Sequence, residues 1–185
     1  MDLNCTIIAA ENGPKTLQEI GDIFGVTRMR ICQIEKIAIS STKIRNSINE
    51  GDLETTKKYL GRCFSLSGKV VKGDGLGKQI DYPTANILIE EDYKIIPKDG
   101  VYYIRTTIDN KLYNGMMNIG HRPTIGNKAK SIEVNLFNFD RDIYDKVISV
   151  NVVVKIRDEK KFSSINALKA QLAKDEEHCL KLINK

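Results

Sequence analysis

A glycine-rich run followed by a short rigid segment is the part of the sequence best suited to chemistry. Gly73, Gly75, Gly77 and Lys78 precede Asp81-Tyr82-Pro83-Thr84-Ala85-Asn86. Pro83 fixes its own φ, and side chains two apart in an extended segment point the same way, so Thr84 and Asn86 are presented together. A hydroxyl and an amide oxygen can complete the shell of a Mg²⁺ ion whose other ligands are phosphate oxygens and water. The segment predicts a phosphate and metal site, the alternative being an ordinary turn that leads into a strand.

The glycine-rich run fits neither of two familiar phosphate loops. A Walker loop needs Gly-x-x-x-x-Gly-Lys followed by Ser or Thr, whereas Lys72 stands at the first glycine position here and Gln79 follows Lys78. A dinucleotide fingerprint needs Gly-x-Gly-x-x-Gly at the start of a helix, and this run leads instead to Pro83.

Glu133 is the candidate acid. Its neighbours Ile132, Val134 and Leu136 share one face of a predicted strand, which leaves Glu133 on the other face, where a rigid backbone could hold it against a substrate hydroxyl. Acids are also common on the solvent face of half-buried strands, and that is the alternative.

The rear of the chain must supply the scaffold for these groups. Strands are predicted at 64–71, 85–89, 101–108, 111–119, 132–139 and 147–156, because these stretches are rich in β-branched and aromatic residues and bounded by turn residues. Asp109-Asn110 is a hairpin signal. Six short strands without intervening helices favour a small antiparallel barrel, so the predicted fold class is mainly β.

Two further patterns concern the end of this region. In the last strand one continuous core face is predicted, made of Ile148, Val150, Val152, Val154 and Ile156. An amphipathic helix follows, capped by Ser163 or Ser164, and its apolar side is predicted to pack on the barrel through Ile165, Leu168, Leu172, Cys179 and Leu182.

The first forty residues predict a helix-turn-helix. Thr16 and Glu19 form a capping box, Gly25 is placed to end the first helix, and Thr27 can cap the second. Residues 41–62 predict two short helices, one capped by Ser41 and ended by Gly51, the next capped by Asp52 and ended by Gly61. The predicted division is 1–40, 41–62 and 63–185.

Composition restricts the class of protein. The 185 residues carry a net charge of +5 with 41% hydrophobic residues, typical of a globular protein, and no apolar run reaches the roughly 18 residues of a membrane helix. The start of the sequence lacks the features of a signal peptide, so a cytoplasmic location is expected. The four cysteines are widely spaced, which favours free thiols over disulfides or a zinc site.

The front segment from Thr16 to Glu35 resembles the promoter-reading helix-turn-helix of bacterial primary sigma factors. That resemblance implies phosphate or base contacts in DNA by Arg28, Arg30 and Gln33. The sequence departs from the family pattern at Met29 and Cys32, and residues 1–40 carry four basic against five acidic side chains, which removes most of the electrostatic attraction to DNA. A small helical cap or a partner surface is the alternative.

The stretch from Ile39 to Arg45 resembles a motif near the end of the adenylyltransferase half of bacterial bifunctional FAD synthetases. In that family such hydroxyls and basic groups bind nucleotide phosphates. The sequence contains no His-x-Gly-His motif, so adenylyl transfer is not expected from it, and residues 41–62 are interpreted as the remnant of that half.

The region from about Leu60 to Leu182 resembles riboflavin kinases. The motifs that carry this resemblance are Leu60-Gly61-Arg62, Gly68-x-Val70-Val71-x-Gly73, Pro83-Thr84-Ala85-Asn86, Pro97-x-x-Gly100-Val101-Tyr102, Asn118-Ile119-Gly120-x-Arg122-Pro123-Thr124, Glu133-Val134, Arg157 and Lys161-Phe162. The resemblance implies a six-stranded Greek-key barrel, MgATP as phosphate donor, and transfer of its γ-phosphate to the 5′-hydroxyl of riboflavin, giving FMN and ADP.

Residue roles are also implied by the resemblance. Thr84 and Asn86 would ligate magnesium and phosphate, and Glu133 would be the general base. The nucleotide would lie under the loop that holds Gly73, Gly75, Gly77 and Lys78, and the flavin would be bound by Asn118, Arg157 and Phe162.

Two positions depart from the riboflavin kinase pattern. Asp81 and Asp145 stand where the family mostly has glycine. An acid at position 81 beside a polyphosphate weakens nucleotide binding unless magnesium or a lysine such as Lys78 offsets it. The competing hypothesis is a flavin-responsive transcription regulator, in which the front segment reads DNA and the barrel holds riboflavin or FMN.

Overall fold

The computed structural model describes residues 16–30, 40–73, 77, 80–121 and 130–183. The chain divides into two compact units, residues 1–40 and residues 41–185.

The first unit contains helix α1, Leu17–Phe24. Thr16 and Glu19 form the predicted capping box, and Gly25 ends the helix in the left-handed conformation at φ 63°. Residues 28–30 begin a second helix, where the Arg30 amide donates to Thr27 Oγ1 at 3.2 Å, as expected for a capping threonine. The rest of that predicted helix, with Gln33, lies outside the described residues.

The second unit is built on a closed antiparallel barrel. Its strands are β1 Phe64–Val71, β2 Ala85–Leu88, β3 Gly100–Ile108, β4 Lys111–His121, β5 Lys130–Leu136 and β6 Val147–Arg157. They close in the order β1-β2-β5-β4-β3-β6, which places β2 beside β5 across the β3-β4-β5 meander in a Greek-key arrangement. The predicted six-stranded antiparallel barrel is confirmed.

Turn chemistry sets the strand ends. Asp109 and Asn110 have φ values of 49° and 60° and join β3 to β4 as the predicted two-residue hairpin, because both central residues of such a turn need positive φ. β5 ends at Leu136, earlier than expected, because a turn follows in which Asn138 has φ 53°.

Strand β6 carries two sets of core residues, so the prediction of one continuous core face is wrong. Ile148, Val150 and Val152 lie in the barrel core, whereas Val154 and Ile156 pack in the cluster outside the barrel. The register with β3 shifts within this part of the strand. Because side chains alternate with period two, an extra residue in one strand moves all following side chains to the other face.

Two helices precede the barrel: α2, Ser41–Glu50, and α3, Leu53–Leu60. Asp52 caps α3 by accepting from the Thr55 amide at 3.0 Å, and Gly61 ends it at φ 69°. Ser41 is the first residue of α2 and not a cap before it. Leu53, only 4% exposed, belongs to the barrel core, so these helices are part of the same compact unit.

The last helix, α4, spans Ile165–Ile183. Ser164 caps it by accepting from the Ala167 amide at 3.2 Å, which settles the choice between the two predicted serines. The cluster outside the barrel joins Cys179 to Val101, Tyr103, Met116 and Phe137, so α4 packs on the outer wall as predicted. Ile165, 57% exposed, does not take part in that face. Among the described helices none is both long and apolar enough to cross a lipid bilayer.

Candidate active site

One row of outward-facing residues crosses five strands. Asn86 of β2 pairs with Glu133 of β5, which pairs with Asn118 of β4, then Val101 of β3, then Arg157 of β6. Their neighbours along the strands, such as Ile132 and Val134, fill the barrel core. Directly opposed residues in antiparallel strands project to the same face, so side chains far apart in the sequence meet on the outer wall.

A cleft of about 220 Å³ lies between this wall and α4. Six of the residues selected from the sequence line it: Gly77, Thr84, Asn118, Glu133, Arg157 and Phe162. Leu168 and Leu172 of α4 form an apolar side, and Glu159 and Lys160 lie on the segment between β6 and α4. The volume is below the roughly 300 Å³ at which typical small-molecule sites begin, so a flavin together with a nucleotide would extend beyond the cleft.

The two proposed metal ligands lie against the two described glycines of the loop. A methyl group built on Gly73 would overlap the side-chain amide of Asn86, and one built on Gly77 would lie 3.1 Å from Thr84 Oγ1. Asn86 is buried beside Gly73 and does not line the cleft, while Thr84 does. Glycine is required at both positions, because a side chain at 73 would overlap the Asn86 amide and one at 77 would overlap the Tyr82 carbonyl oxygen. Gly75 and Lys78 lie outside the described residues.

The donor set fits a magnesium ion brought by a nucleotide. Thr84 and Asn86 offer two neutral oxygens, and Asn86 pairs with Glu133 in the sheet register. Two neutral ligands leave most of an octahedral shell to phosphate oxygens and water. No cluster of three or more His, Cys, Asp or Glu in the described part of the chain could hold a metal by itself. The residues present therefore suit a metal–phosphate complex better than a free metal ion.

Asn135 is a site residue that the sequence reasoning missed. It lines the cleft, and its Nδ2 donates to the Pro83 carbonyl at 2.8 Å. This bond ties the segment that carries Thr84 to β5, the strand that carries Glu133. Its distance from Glu133 in the sequence could have identified it, because residues two apart in a strand lie on the same face.

Arg157 connects the barrel to α4. Its Nε donates to Asp175 at 2.9 Å, its Nη2 lies 2.8 Å from the same carboxylate, and its Nη1 donates to the Asp158 carbonyl at 3.0 Å. The guanidinium also lies 5.8 Å from the centre of the Phe162 ring. Asp175, whose side chain is 3% exposed, accepts a further bond from Gln171 at 2.8 Å. Arg157 thus lines the cleft and also holds its covering helix.

The two departures from the family pattern have a common backbone explanation. Asp81 has φ 64° and Asp145 has φ 62°, in the left-handed region where glycine is favoured and aspartate is tolerated. Lys169 of α4 lies 2.5 Å from the Asp81 carboxylate, so it is Lys169 that offsets this charge among the described residues. Lys69 pairs with Asp145 at 2.8 Å and lowers the pKa of that carboxyl.

The segment before Thr84 is also tied to α4 by Tyr82. The Tyr82 hydroxyl donates to Glu176 at 3.1 Å, and burial together with this carboxylate raises the pKa of the phenol.

In the first unit, Arg28 and Arg30 are exposed at the start of the second helix, as a nucleic-acid contact would require.

Two family models match different parts of the chain. The family model described as riboflavin kinase matches residues 60–183, and that of sigma-70 region 4 matches residues 7–43. The bifunctional riboflavin kinase/FMN adenylyltransferase of Bacillus subtilis is 38% identical over 146 residues, covering 77% of this chain and 46% of the relative. The enzyme of the same description from Buchnera aphidicola is 39% identical over 174 residues, covering 91% and 55%.

A solved structure gives the same architecture. A crystal structure described as a macrolide-efflux protein from Streptococcus pneumoniae superposes with a TM-score of 0.70 at 38% identity, covering 75% of this chain and 45% of that one. The chain spans about half the length of the curated relatives it matches.

Proposed function

The chain belongs to the riboflavin kinase family, and we propose that it transfers the γ-phosphate of MgATP to the 5′-hydroxyl of riboflavin to make FMN. The observation that carries the proposal is the single cleft lined by both Glu133 and Thr84 beneath α4. It gives one place where a positioned acid and a phosphate-binding segment meet, which is what phosphoryl transfer to an alcohol requires.

Glu133 is the general base in this proposal. It lies on β5 between Asn86 and Asn118 of the neighbouring strands, so its position is set by two strand pairings. Its carboxylate takes the proton of the 5′-hydroxyl as that oxygen attacks the γ-phosphorus, the bond from this phosphorus to the bridging oxygen breaks, and ADP leaves. A positioned base typically contributes about 10²–10⁴ in rate.

Thr84 and Asn86 hold the magnesium ion of MgATP. When bound, the ion neutralises charge that develops on the transferred phosphoryl group. Gly73 and Gly77 let the loop backbone lie against the segment from Tyr82 to Asn86. In this proposal the loop covers the phosphates held there. Gly75 and Lys78 are assigned to the same nucleotide loop.

The flavin occupies the side of the cleft nearer α4. Phe162, Leu168 and Leu172 offer apolar surface to a ring system, and Asn118 and Arg157 supply polar groups at its edge. Mostly apolar walls with a few directed polar groups are typical of cofactor sites.

FAD synthesis is not part of the proposed activity of this 185-residue sequence. Its two histidines, His121 and His178, stand far apart and neither forms a His-x-Gly-His motif. The relatives are described as bifunctional, so the absence of adenylyl transfer is itself a prediction to be tested.

The predicted division at 40 and 62 and the cytoplasmic location stay predictions. The burial of Leu53 in the barrel core supports including residues 41–62 in the kinase unit.

Flavin chromatography tests the proposed function. Purified protein incubated with riboflavin and MgATP is expected to yield FMN and no FAD, and omission of Mg²⁺ should abolish the product. Absence of FMN would overturn the proposed kinase activity, whereas FAD would overturn only its restriction to the first step.

A flavin-responsive DNA-binding regulator is the second candidate, favoured by the sigma-70 region 4 match over residues 7–43 and by the exposed Arg28 and Arg30. An electrophoretic shift assay with promoter DNA, with and without FMN, tests it. Binding that persists at physiological salt and responds to FMN supports regulation, whereas binding confined to very low salt contradicts it.

A further inference from the structure

Glu159 lines the cleft, and the function proposed above does not use it. Its carboxylate reaches over Gly120 of β4. A methyl group built on Gly120 would overlap Glu159 Oε1, lie 3.0 Å from its Cδ and lie 3.5 Å from the Asn118 amide nitrogen. The acid therefore lies over Gly120 and close to Asn118, and it occupies space that only glycine leaves open.

The Glu159 carboxylate differs from the acids around it in having no partner among the described residues. Asp158 pairs with Lys155 at 2.6 Å and Asp175 pairs with Arg157, but no hydrogen bond or ion pair joins Glu159 to another residue in the described ranges. An ionised carboxylate only accepts hydrogen bonds, so its complement in the cleft is a ligand group that donates one.

We propose that Glu159 is a specificity-determining residue that accepts a hydrogen bond from the acceptor substrate, and that Gly120 keeps the space in which its carboxylate lies. The inference rests on the proposed function, since riboflavin offers two kinds of donor, the ribityl hydroxyls and the ring imide N–H. A carboxylate in this position selects flavins that keep the hydrogen-bond donor and rejects analogues in which that donor is blocked.

Direct binding and kinetics test this together. Riboflavin affinity is measured by flavin fluorescence without nucleotide, and KM is measured separately for riboflavin and ATP. Glu159→Ala and Gly120→Ala should each weaken riboflavin binding and raise its KM at least about tenfold, equivalent to about 1.4 kcal/mol. The KM for ATP should not change.

Asp158→Ala is the matched control, because it removes an acid one residue away whose side chain does not line the cleft. It should bind riboflavin like the parent protein. Gly120→Ala meets the mobile end of Glu159 and not the backbone, so its melting temperature should stay close to that of the parent.

The flavin methylated at N3 distinguishes the two donors. If the imide is the donor, this analogue binds the parent as weakly as riboflavin binds Glu159→Ala; if a hydroxyl is the donor, Glu159→Ala weakens both flavins equally. Parent-like riboflavin affinity in Glu159→Ala overturns the inference and leaves the proposed function standing. A parent protein that neither binds nor phosphorylates riboflavin overturns both.

Discussion

Replacing Asp175 with asparagine should destabilise the barrel unit and loosen the cleft. The carboxylate is 3% exposed and its partner Arg157 is 13% exposed, so the variant leaves a buried guanidinium without its counter-charge. Removing one partner of a buried ion pair costs about 3–5 kcal/mol. The remaining bond from Arg157 to the Asp158 carbonyl and the contact with Phe162 favour the lower end of that range.

Thermal and urea denaturation followed by circular dichroism measure this loss. At about 2–4 °C per kcal/mol for a chain of this size, a loss of about 3 kcal/mol lowers Tm by roughly 6–12 °C. Because α4 supplies Leu168 and Leu172 to the cleft, the KM for riboflavin should rise as well.

Glu177→Gln is the matched control on the same helix. Glu177 pairs with Lys181 at 2.7 Å, but the two side chains are 66% and 69% exposed, so solvent screens the pair and its loss should leave Tm close to that of the parent protein. Equal stability of Asp175→Asn and Glu177→Gln would refute the reasoning that the buried pair holds α4 in place.

Three further predictions concern other parts of the barrel unit. Asn135→Ala removes the bond to the Pro83 carbonyl and should lower kcat by roughly 10–10²-fold through misplacement of Thr84; an unchanged kcat in steady-state assays would contradict it. Leu53→Ala should cost about 2–5 kcal/mol in urea titrations, because Leu53 fills the barrel core, and a cost below 1 kcal/mol would show that α3 is dispensable. Burial raises the pKa of Cys179 to about 12, so peptide mapping should find it alkylated at pH 8 only after unfolding, and rapid labelling of the folded protein would exclude that environment.

The sequence predicted those features of the fold that depend on local chemistry. The cap at Thr16, the left-handed Gly25 and Gly61, and the Asp109-Asn110 hairpin were confirmed because each is set by one residue type and its near neighbours. Strand number and barrel architecture followed from repeated short strands and from the riboflavin kinase motifs.

Features that depend on register or tertiary partners were missed. The three consecutive valines at 152–154 are compatible with either face of a strand, so the change of face in β6 depends on pairing with β3. Asp175 falls among the apolar positions of α4, but only the fold shows that Arg157 is its partner. Likewise, the ion pair between Lys169 and Asp81 joins residues that are 88 positions apart in the sequence.

The candidate site was predicted in large part, since Gly77, Thr84, Asn118, Glu133, Arg157 and Phe162 line one cleft. Asn135 and Glu159 were not predicted, because strand alternation and the segment before α4 carry no distinctive motif for them. The sequence predicts Asn86 as a metal ligand. Its burial against Gly73 could not be predicted from the spacing of residues along the chain.

Turnover of Glu133→Gln with riboflavin and MgATP tests the central claim most directly. The substitution keeps the side-chain volume and removes the proton acceptor, so kcat should fall at least about 10²-fold while MgATP still binds with parent affinity in calorimetry. Near-normal FMN production by this variant would contradict the role of Glu133 and the account of the cleft as the site of phosphoryl transfer.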